Sequence, residues 1–492
     1  MWWVVTLILT TPATMLTQQQ GEGPSVTGSA AYRAAGDAGQ GIKIGIFDNG
    51  FDSILIAQAN GDAPTTFADT VDIGGNAIFA PGNTHGTRVC EAIFDHAPGA
   101  TYSLYKMASS STLLSKAVDS AISHGVNIIS MSLTFFNQGW VDNSGTACSA
   151  VKKAADAGIL VFVAAGNQGV QHWSGYFKDN NDNDSWHEWS GADEYNAINV
   201  SAGNTVFLYL QWDTQSGNFN YDLYLYNATG DTLRDSSKQS GNNFESINWA
   251  ANSTQTVKVR VKRVSGVGTD SIQLFARGFA GISAPIQYFT TSGSVTSPSN
   301  STEPNVLSVG AVNWSFFDTA NGTSGIIKSY SSQGPTNSGY TKPDLCGPTD
   351  VTTFVGPAQP FGGTSAATPN AAGTAAAFWS SASSLSSAGV RYLLLEMAEI
   401  FKDWGQIGQD NIYGRGGIYL YEHHINTRWV DPRAGNNADS DTLPYYHLSA
   451  AHAAASSGGR IVFLGGNYPE PIVLNKKLVF ESIRSPAIVG QP

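Results

Sequence analysis

Ile42-Lys43-Ile44-Gly45-Ile46-Phe47-Asp48-Asn49-Gly50 is the stretch from which the fold is read. Apolar residues run almost without a break from Ile42 to Phe47, then stop at an acid, an amide and a glycine. A short apolar run bounded in this way predicts a strand buried on both faces, as in parallel sheets. Residues 126–133 and 159–164 share the texture, and 113–122 and 147–157 carry helical spacing between and beside them. Strands alternating with helices predict a doubly wound α/β domain. Such sheets build their sites at the carboxyl ends of strands, which makes Asp48 a candidate site residue, although alone it reads more readily as a turn or cap.

Outward from this core the texture changes twice. Val257, Val259 and Val261 alternate with Lys258, Arg260 and Lys262, the period-two signature of a half-buried strand. Residues 206–212, 221–226 and 271–276 read as further strands with no helix among them, which predicts a β-sandwich. Apolar α/β texture returns at 305–312, so the sandwich is expected to be an insertion. The expected division is a leader at 1–20, the α/β domain at 21–170 and 303–423, the sandwich at 171–302, and a separate segment at 424–492. The first nine residues have the length of a secretory apolar segment and Ala13 could close a cleavage site. The first basic side chain is only Arg33, however, so a leader and an ordinary segment both stay open.

The 492 residues are 41% hydrophobic and only 13% charged, with a net charge of −12. That balance builds a core and excludes charge-driven disorder. The negative excess repels phosphate backbones, so no nucleic-acid partner is expected. No stretch reaches the roughly 18 apolar residues of a membrane-spanning helix. Cys90, Cys148 and Cys346 are too few and too scattered for a disulfide scaffold or a zinc knuckle.

Three more motifs carry chemistry. Thr84-His85-Gly86-Thr87 precedes a helical stretch at 88–95, where a histidine taken alone reads as a cap or a core residue. Asn167 follows the strand at 159–164 and offers a side-chain amide to a developing negative oxygen. Gly362-Gly363-Thr364-Ser365-Ala366-Ala367-Thr368-Pro369 leads into a small-residue helix. A serine at such an entry has an exposed hydroxyl and an amide near the positive end of the helix dipole. Pro369 is expected within the first turn, where its missing N–H costs little.

Asp, His and Ser in this order, with the Gly363–Pro369 motif intact, resemble the subtilisin-like (S8) serine peptidases, whose chain order is a known one. Further matching stretches are Gly125-Val126-Asn127-Ile128-Ile129-Ser130-Met131-Ser132-Leu133, Ser329-Tyr330-Ser331-Ser332-Gln333-Gly334-Pro335 and Asp410-Asn411-Ile412-Tyr413-Gly414. The resemblance implies a secreted, monomeric endopeptidase acting on protein and peptide substrates with no cofactor required for catalysis. It assigns Ser365 as nucleophile, His85 as general base, Asp48 as its partner and Asn167 as oxyanion donor. It places substrate against Ser130, Ser132, Leu133, Ala164 and Gly166. Departures are Thr134-Phe135-Phe136 after Leu133, Asn370 where a histidine is common, and Cys346-Gly347-Pro348 in place of Ala-Pro-Gly. A non-catalytic secreted binding protein on the same scaffold is the alternative.

Asp179-Asn180-Asn181-Asp182-Asn183-Asp184 is rich in oxygen ligands, and Asp179, Asn181 and Asn183 fit the odd positions of a calcium loop. Glycine is missing at position six, so the loop is not an EF-hand; a structural Ca²⁺ and a solvated loop both stay open. The sandwich either shapes the cleft or decorates the surface. The terminal segment, with Gly458-Gly459-Arg460-Ile461-Val462 and Gly465-Gly466-Asn467-Tyr468, resembles the entry to a right-handed β-helix. One or two coils bury little. The expectation is therefore that coils continue past Pro492 or that the segment packs on the α/β domain, with glycan or surface contact as a role for these modules.

Overall fold

The structure, a computed structural model, describes residues 18–75, 77–108, 110–179, 182–213, 218–278, 285–317, 325–423, 426–434 and 439–489. The expected leader thus lies almost wholly outside the described residues. Five strands come first: β1 Lys43–Asp48, β2 Asp69–Asp72, β3 Thr101–Lys106, β4 Ile128–Met131 and β5 Leu160–Ala164. Eight follow at β6 His172–Tyr176, β7 Asn196–Val200, β8 Thr205–Trp212, β9 Asn220–Tyr226, β10 Leu233–Ser237, β11 Phe244–Ala250, β12 Gln255–Ser265 and β13 Ser271–Gly278. Then come β14 Val306–Asn313 and β15 Leu345–Thr349.

Strands β1–β5, β14 and β15 form one seven-stranded sheet in the order β15-β14-β5-β4-β1-β3-β2, with every pairing parallel. Its alternation explains the apolar runs. Ile44, Ile46, Ile128, Leu160 and Phe162 face one layer, which holds the helices His85–His96 and Thr364–Ser381. Phe47, Ile129, Met131, Val161 and Val163 face the other, which holds Ser111–Ser123 and Thr146–Asp156. Both faces are covered, so both sets of positions must be apolar.

The order reverses beside β1: β2 and β3 lie on one side of it, β4 and the later strands on the other. At such a switch point the chains leaving two neighbouring strands diverge and open a crevice at their carboxyl ends.

Strands β6–β13 make two four-stranded antiparallel sheets, β10-β9-β12-β7 and β11-β8-β13-β6. Val206, Leu208, Leu210, Leu223, Leu225, Val257, Val259, Val261, Ile272 and Leu274, drawn from both sheets, share one apolar core.

The terminal residues add β16 Thr427–Val430, β17 Arg460–Phe463, β18 Asn467–Tyr468, β19 Val479–Ser482 and β20 Ile488–Val489. They pair in parallel as β16-β17-β19 and β18-β20. Trp429, Val462 and Leu464 join the apolar core of the α/β domain, where Trp429 meets Phe378 edge-on at 6.3 Å. Of the two expectations for this segment, packing on the α/β domain is present. No helix among the described residues is long and apolar enough to cross a membrane.

Candidate active site

A cavity of about 440 Å³ opens at the carboxyl ends of β1, β4 and β5, and Asp48, His85, Ser132, Leu133, Ala164, Asn167 and Ser365 all line it. Sequence positions 48, 85 and 365 therefore meet at the switch point of the sheet.

Asp48 ends β1 and is completely buried. Its Oδ1 accepts the Asn49 N–H at 2.7 Å, and Oδ2 lies 2.8 Å from His85 Nδ1. A carboxylate there fixes the proton on Nδ1 and leaves Nε2 as the nitrogen able to accept one. Burial opposes charging the imidazole, but the Asp48 charge and hydrogen bond outweigh it and hold the His85 pKa above the ordinary histidine value.

The surrounding motif has a steric logic. A Cβ on Gly86 would lie 2.6 Å from Gly50 O and 2.8 Å from Asp48 Cβ, so only glycine lets the helix start this close to β1. The Gly86 N–H donates to Gly50 O at 2.9 Å, and Thr87 Oγ1 donates to Asp52 O at 2.7 Å. His85 is thus delivered to Asp48 by backbone contact.

Ser365 is the second residue of the helix Thr364–Ser381, whose N-cap Gly363 has φ +86°. Its N–H is one of the amides that a helix start leaves without an intrahelical acceptor. Among the described residues no hydrogen bond joins Ser365 Oγ to His85; catalytic contacts commonly tighten only with substrate present. Pro369 corrects the expectation of a first-turn proline: it lies inside the helix, five residues past Thr364. A proline there withholds the N–H that would bond the carbonyl four residues earlier, which is that of Ser365. Ser132 Oγ supplies the replacement donor, 2.9 Å from Ser365 O.

Asn167 Oδ1 accepts both the Thr364 N–H at 2.9 Å and Thr364 Oγ1 at 3.0 Å. Because a backbone N–H can only donate, these bonds settle which end of the amide is oxygen, and Nδ2 is left as a donor at the cavity.

The other expected site residues divide. Ser132, Leu133 and Ala164 line the cavity. Ser130 lies inside β4, opposite Ile46 on one side and Phe162 on the other. Gly166, with φ +115°, packs where a Cβ would come within 2.9 Å of Ser332, Gln168 and Thr296 side chains. Asn370 is buried away from the cavity, its Oδ1 2.8 Å from His96 Nε2 and its Nδ2 donating to Ala366 O. Burial lowers the His96 pKa to about 4, keeping that ring neutral.

On the polar loop, the carboxylates that gather are Asp179, Asp182 and Asp184, with one oxygen of each within 4.8 Å of the others. Asn183 takes φ +58°, and Asn181 lies outside the described residues. Two features of the cavity carried no signal in the sequence. Ser132 looked like a substrate contact and anchors Ser365, and Arg277, on β13, lines the cavity as well.

The fold and this constellation define a subtilisin-like α/β architecture. Residues 39–416 match the model of the subtilase family, peptidase S8, and the chain belongs to that family. No curated protein sequence matches it. Among solved structures, the CspB protease of Clostridium perfringens aligns at 14% identity over 81% of this chain and 97% of its own, with a TM-score of 0.54. A lanthipeptide protease aligns at 18% identity, covering 81% and 92% of the two chains, with a TM-score of 0.44. Sphericase gives 18%, 78%, 93% and 0.43 for the same quantities. At these identities the first likeness speaks to fold alone, and the other two carry no argument.

Proposed function

We propose that this subtilase is an endopeptidase that hydrolyses peptide bonds through an acyl-enzyme, with Ser365, His85 and Asp48 as its triad. The observation that carries the reading is the 2.8 Å contact between His85 Nδ1 and Asp48 Oδ2 in a cavity that Ser365 also lines. With Nδ1 engaged, Nε2 takes the proton of Ser365 Oγ as it attacks the scissile carbonyl and later gives it to the leaving amine. Asp48 holds the ring and stabilises the imidazolium. The Asn167 Nδ2 and the Ser365 N–H are assigned the oxyanion, the step at which charge develops. An extended substrate would pair with the backbone from Ser132 onward, its side chains against Leu133 and Ala164. Protein groups carry every proton in this scheme, so no cofactor is assigned to it.

Labelling by an active-site serine phosphonate tests the reading. Wild type should be labelled and Ser365→Ala should not; a folded wild type that stays unlabelled refutes it.

The accessory parts are proposed as follows. Strands β6–β13 form an inserted sandwich, supported by their shared core, and β16–β20 form the first coils of a β-helix, supported by their parallel pairing. Secretion and a monomeric state accompany the family reading and are checked by culture fractionation and light scattering. A structural Ca²⁺ is proposed at Asp179, Asp182 and Asp184, supported by the buried Asp179 Oδ1, which has no hydrogen-bond partner among the described residues. A melting temperature unmoved by chelator counts against that ion.

A further inference from the structure

Strand β13 belongs to the antiparallel sheets, yet its last outward side chain reaches the catalytic cavity. Ile272, Leu274 and Ala276 point into the core shared by the two sheets. Strand alternation therefore turns Gln273, Phe275 and Arg277 to the opposite face. That face is glued to the α/β domain. Gln273 exchanges hydrogen bonds with the Asn337 side chain at 3.1 and 3.0 Å. Phe275 is buried with Val141 and Val295 and packs on Phe136, and its cross-strand neighbour Tyr209 stacks on Phe136 at 4.6 Å. Two residues further along the same face, Arg277 lines the cavity with His85, Asn167 and Ser365.

The cavity's ionisable lining consists of Asp48, His85 and Arg277 among the described residues. Asp48 is wholly buried behind His85. The guanidinium is the fixed cation of that lining, and its charge, like that of Arg88 behind the site, opposes protonation of the His85 imidazole against the pull of Asp48. Arg277 is itself half-buried, and burial depresses its pKa. A partly desolvated guanidinium binds a carboxylate more strongly than a solvated one, and its fork suits two oxygens at once. The chain's overall charge of −12 opposes an acidic peptide at long range, but that repulsion is screened beyond about 8 Å at physiological salt. Contact inside the cavity decides.

We propose that Arg277 is the substrate-recognition residue of the cleft and selects peptides carrying a carboxylate side chain within two residues of the scissile bond. The inference rests on the peptidase reading and names its substrate class. It also gives the inserted sheets a task, since they hold the selecting group while the α/β domain holds the reacting ones.

The test compares peptide pairs that differ only as Glu or Gln at each position from two before to two after the cleaved bond. Binding to Ser365→Ala is measured by calorimetry, and kcat/KM by wild-type turnover. At one position the Glu peptide should be favoured by on the order of 10- to 100-fold, the range of a charged hydrogen bond. The preference should fall to about one in Arg277→Gln and turn toward a Lys peptide in Arg277→Glu, an inversion that a purely structural arginine would not produce. Equal binding of Glu and Gln peptides at every position, or a preference that survives in Arg277→Gln, overturns the proposal. Phosphonate labelling reads the peptidase reading separately: a labelled enzyme without Glu preference sinks only the role of Arg277.

Discussion

Pro369 and Ser132 make a coupled pair whose energetics can be worked out from their geometry. Pro369 has no N–H for the Ser365 carbonyl, and Ser132 Oγ supplies the bond at 2.9 Å. Ser132→Ala leaves that part-buried carbonyl without a donor, which costs about 1–3 kcal/mol. Pro369→Ala restores an amide at the helical position four residues on, where it can bond Ser365 O itself. In the Pro369→Ala background Ser132→Ala should therefore cost less than about 0.5 kcal/mol, giving a coupling of at least about 0.5 kcal/mol. The cycle cancels the effect of proline on the unfolded chain, which enters both backgrounds equally. Urea unfolding followed by near-UV circular dichroism measures the four variants, provided the slope with denaturant stays constant. Turnover of a peptide substrate should fall with Ser132→Ala alone, because the carbonyl belongs to the proposed nucleophile. Equal costs in the two backgrounds would refute the assignment of Ser132 as the replacement donor.

Further outcomes follow from the same site and its surroundings. Asn167→Asp keeps the acceptor for Thr364 but loses the Nδ2 donor, so kcat should drop about 100- to 1000-fold with stability at least about 1 kcal/mol above that of Asn167→Ala, which loses both; comparable unfolding midpoints for the two variants would contradict this. His85 must be neutral to act as a base, and its pKa is raised, so kcat/KM should fall on acidification through a value above 6.5; a limb at or below 6.5 in a pH–rate profile argues otherwise. Burial lifts the Glu91 pKa from 4.5 to about 8 against two backbone N–H bonds from Phe354 and Val355. The folded state then holds a proton that the unfolded state releases above 4.5, so this contribution to stability is complete below pH 4.5 and is lost as pH rises to about 8. Glu91→Gln should flatten that loss, leaving the share from Asp95, raised to about 7 by burial, and urea midpoints across pH 4–9 check it.

What could be read in advance follows from burial. Strands β1, β4 and β5 stood out because the parallel sheet buries both their faces, and β8, β9, β12 and β13 because one face of each fills a core. Strands β2, β10 and β11 were invisible: Asp69–Asp72 and Leu233–Ser237 are edge strands with few buried side chains, held by pairing with a neighbour. Cys346-Gly347-Pro348, the stretch that departs from Ala-Pro-Gly, forms β15. The strand lies at the sheet edge, where a proline is tolerated, and a Cβ on Gly347 would sit 2.2 Å from Ala367 O on the Ser365 helix. Positions 48, 85, 167 and 365 could be named because local motifs carry them. The Ser132 anchor and Arg277 could not, since each depends on a contact between elements far apart in the chain.

The packing of Trp429 against Phe378 has a mechanical side. Phe378 stands near the far end of an 18-residue helix that begins at Thr364, roughly 21 Å away at 1.5 Å per residue. Anything tethered through β16 and β17 is thereby braced against the butt of a stiff rod whose tip bears the Ser365 hydroxyl. Tension on that tether would be felt first at this joint, so the last strands of the chain and the chemistry at its cleft share one line of load.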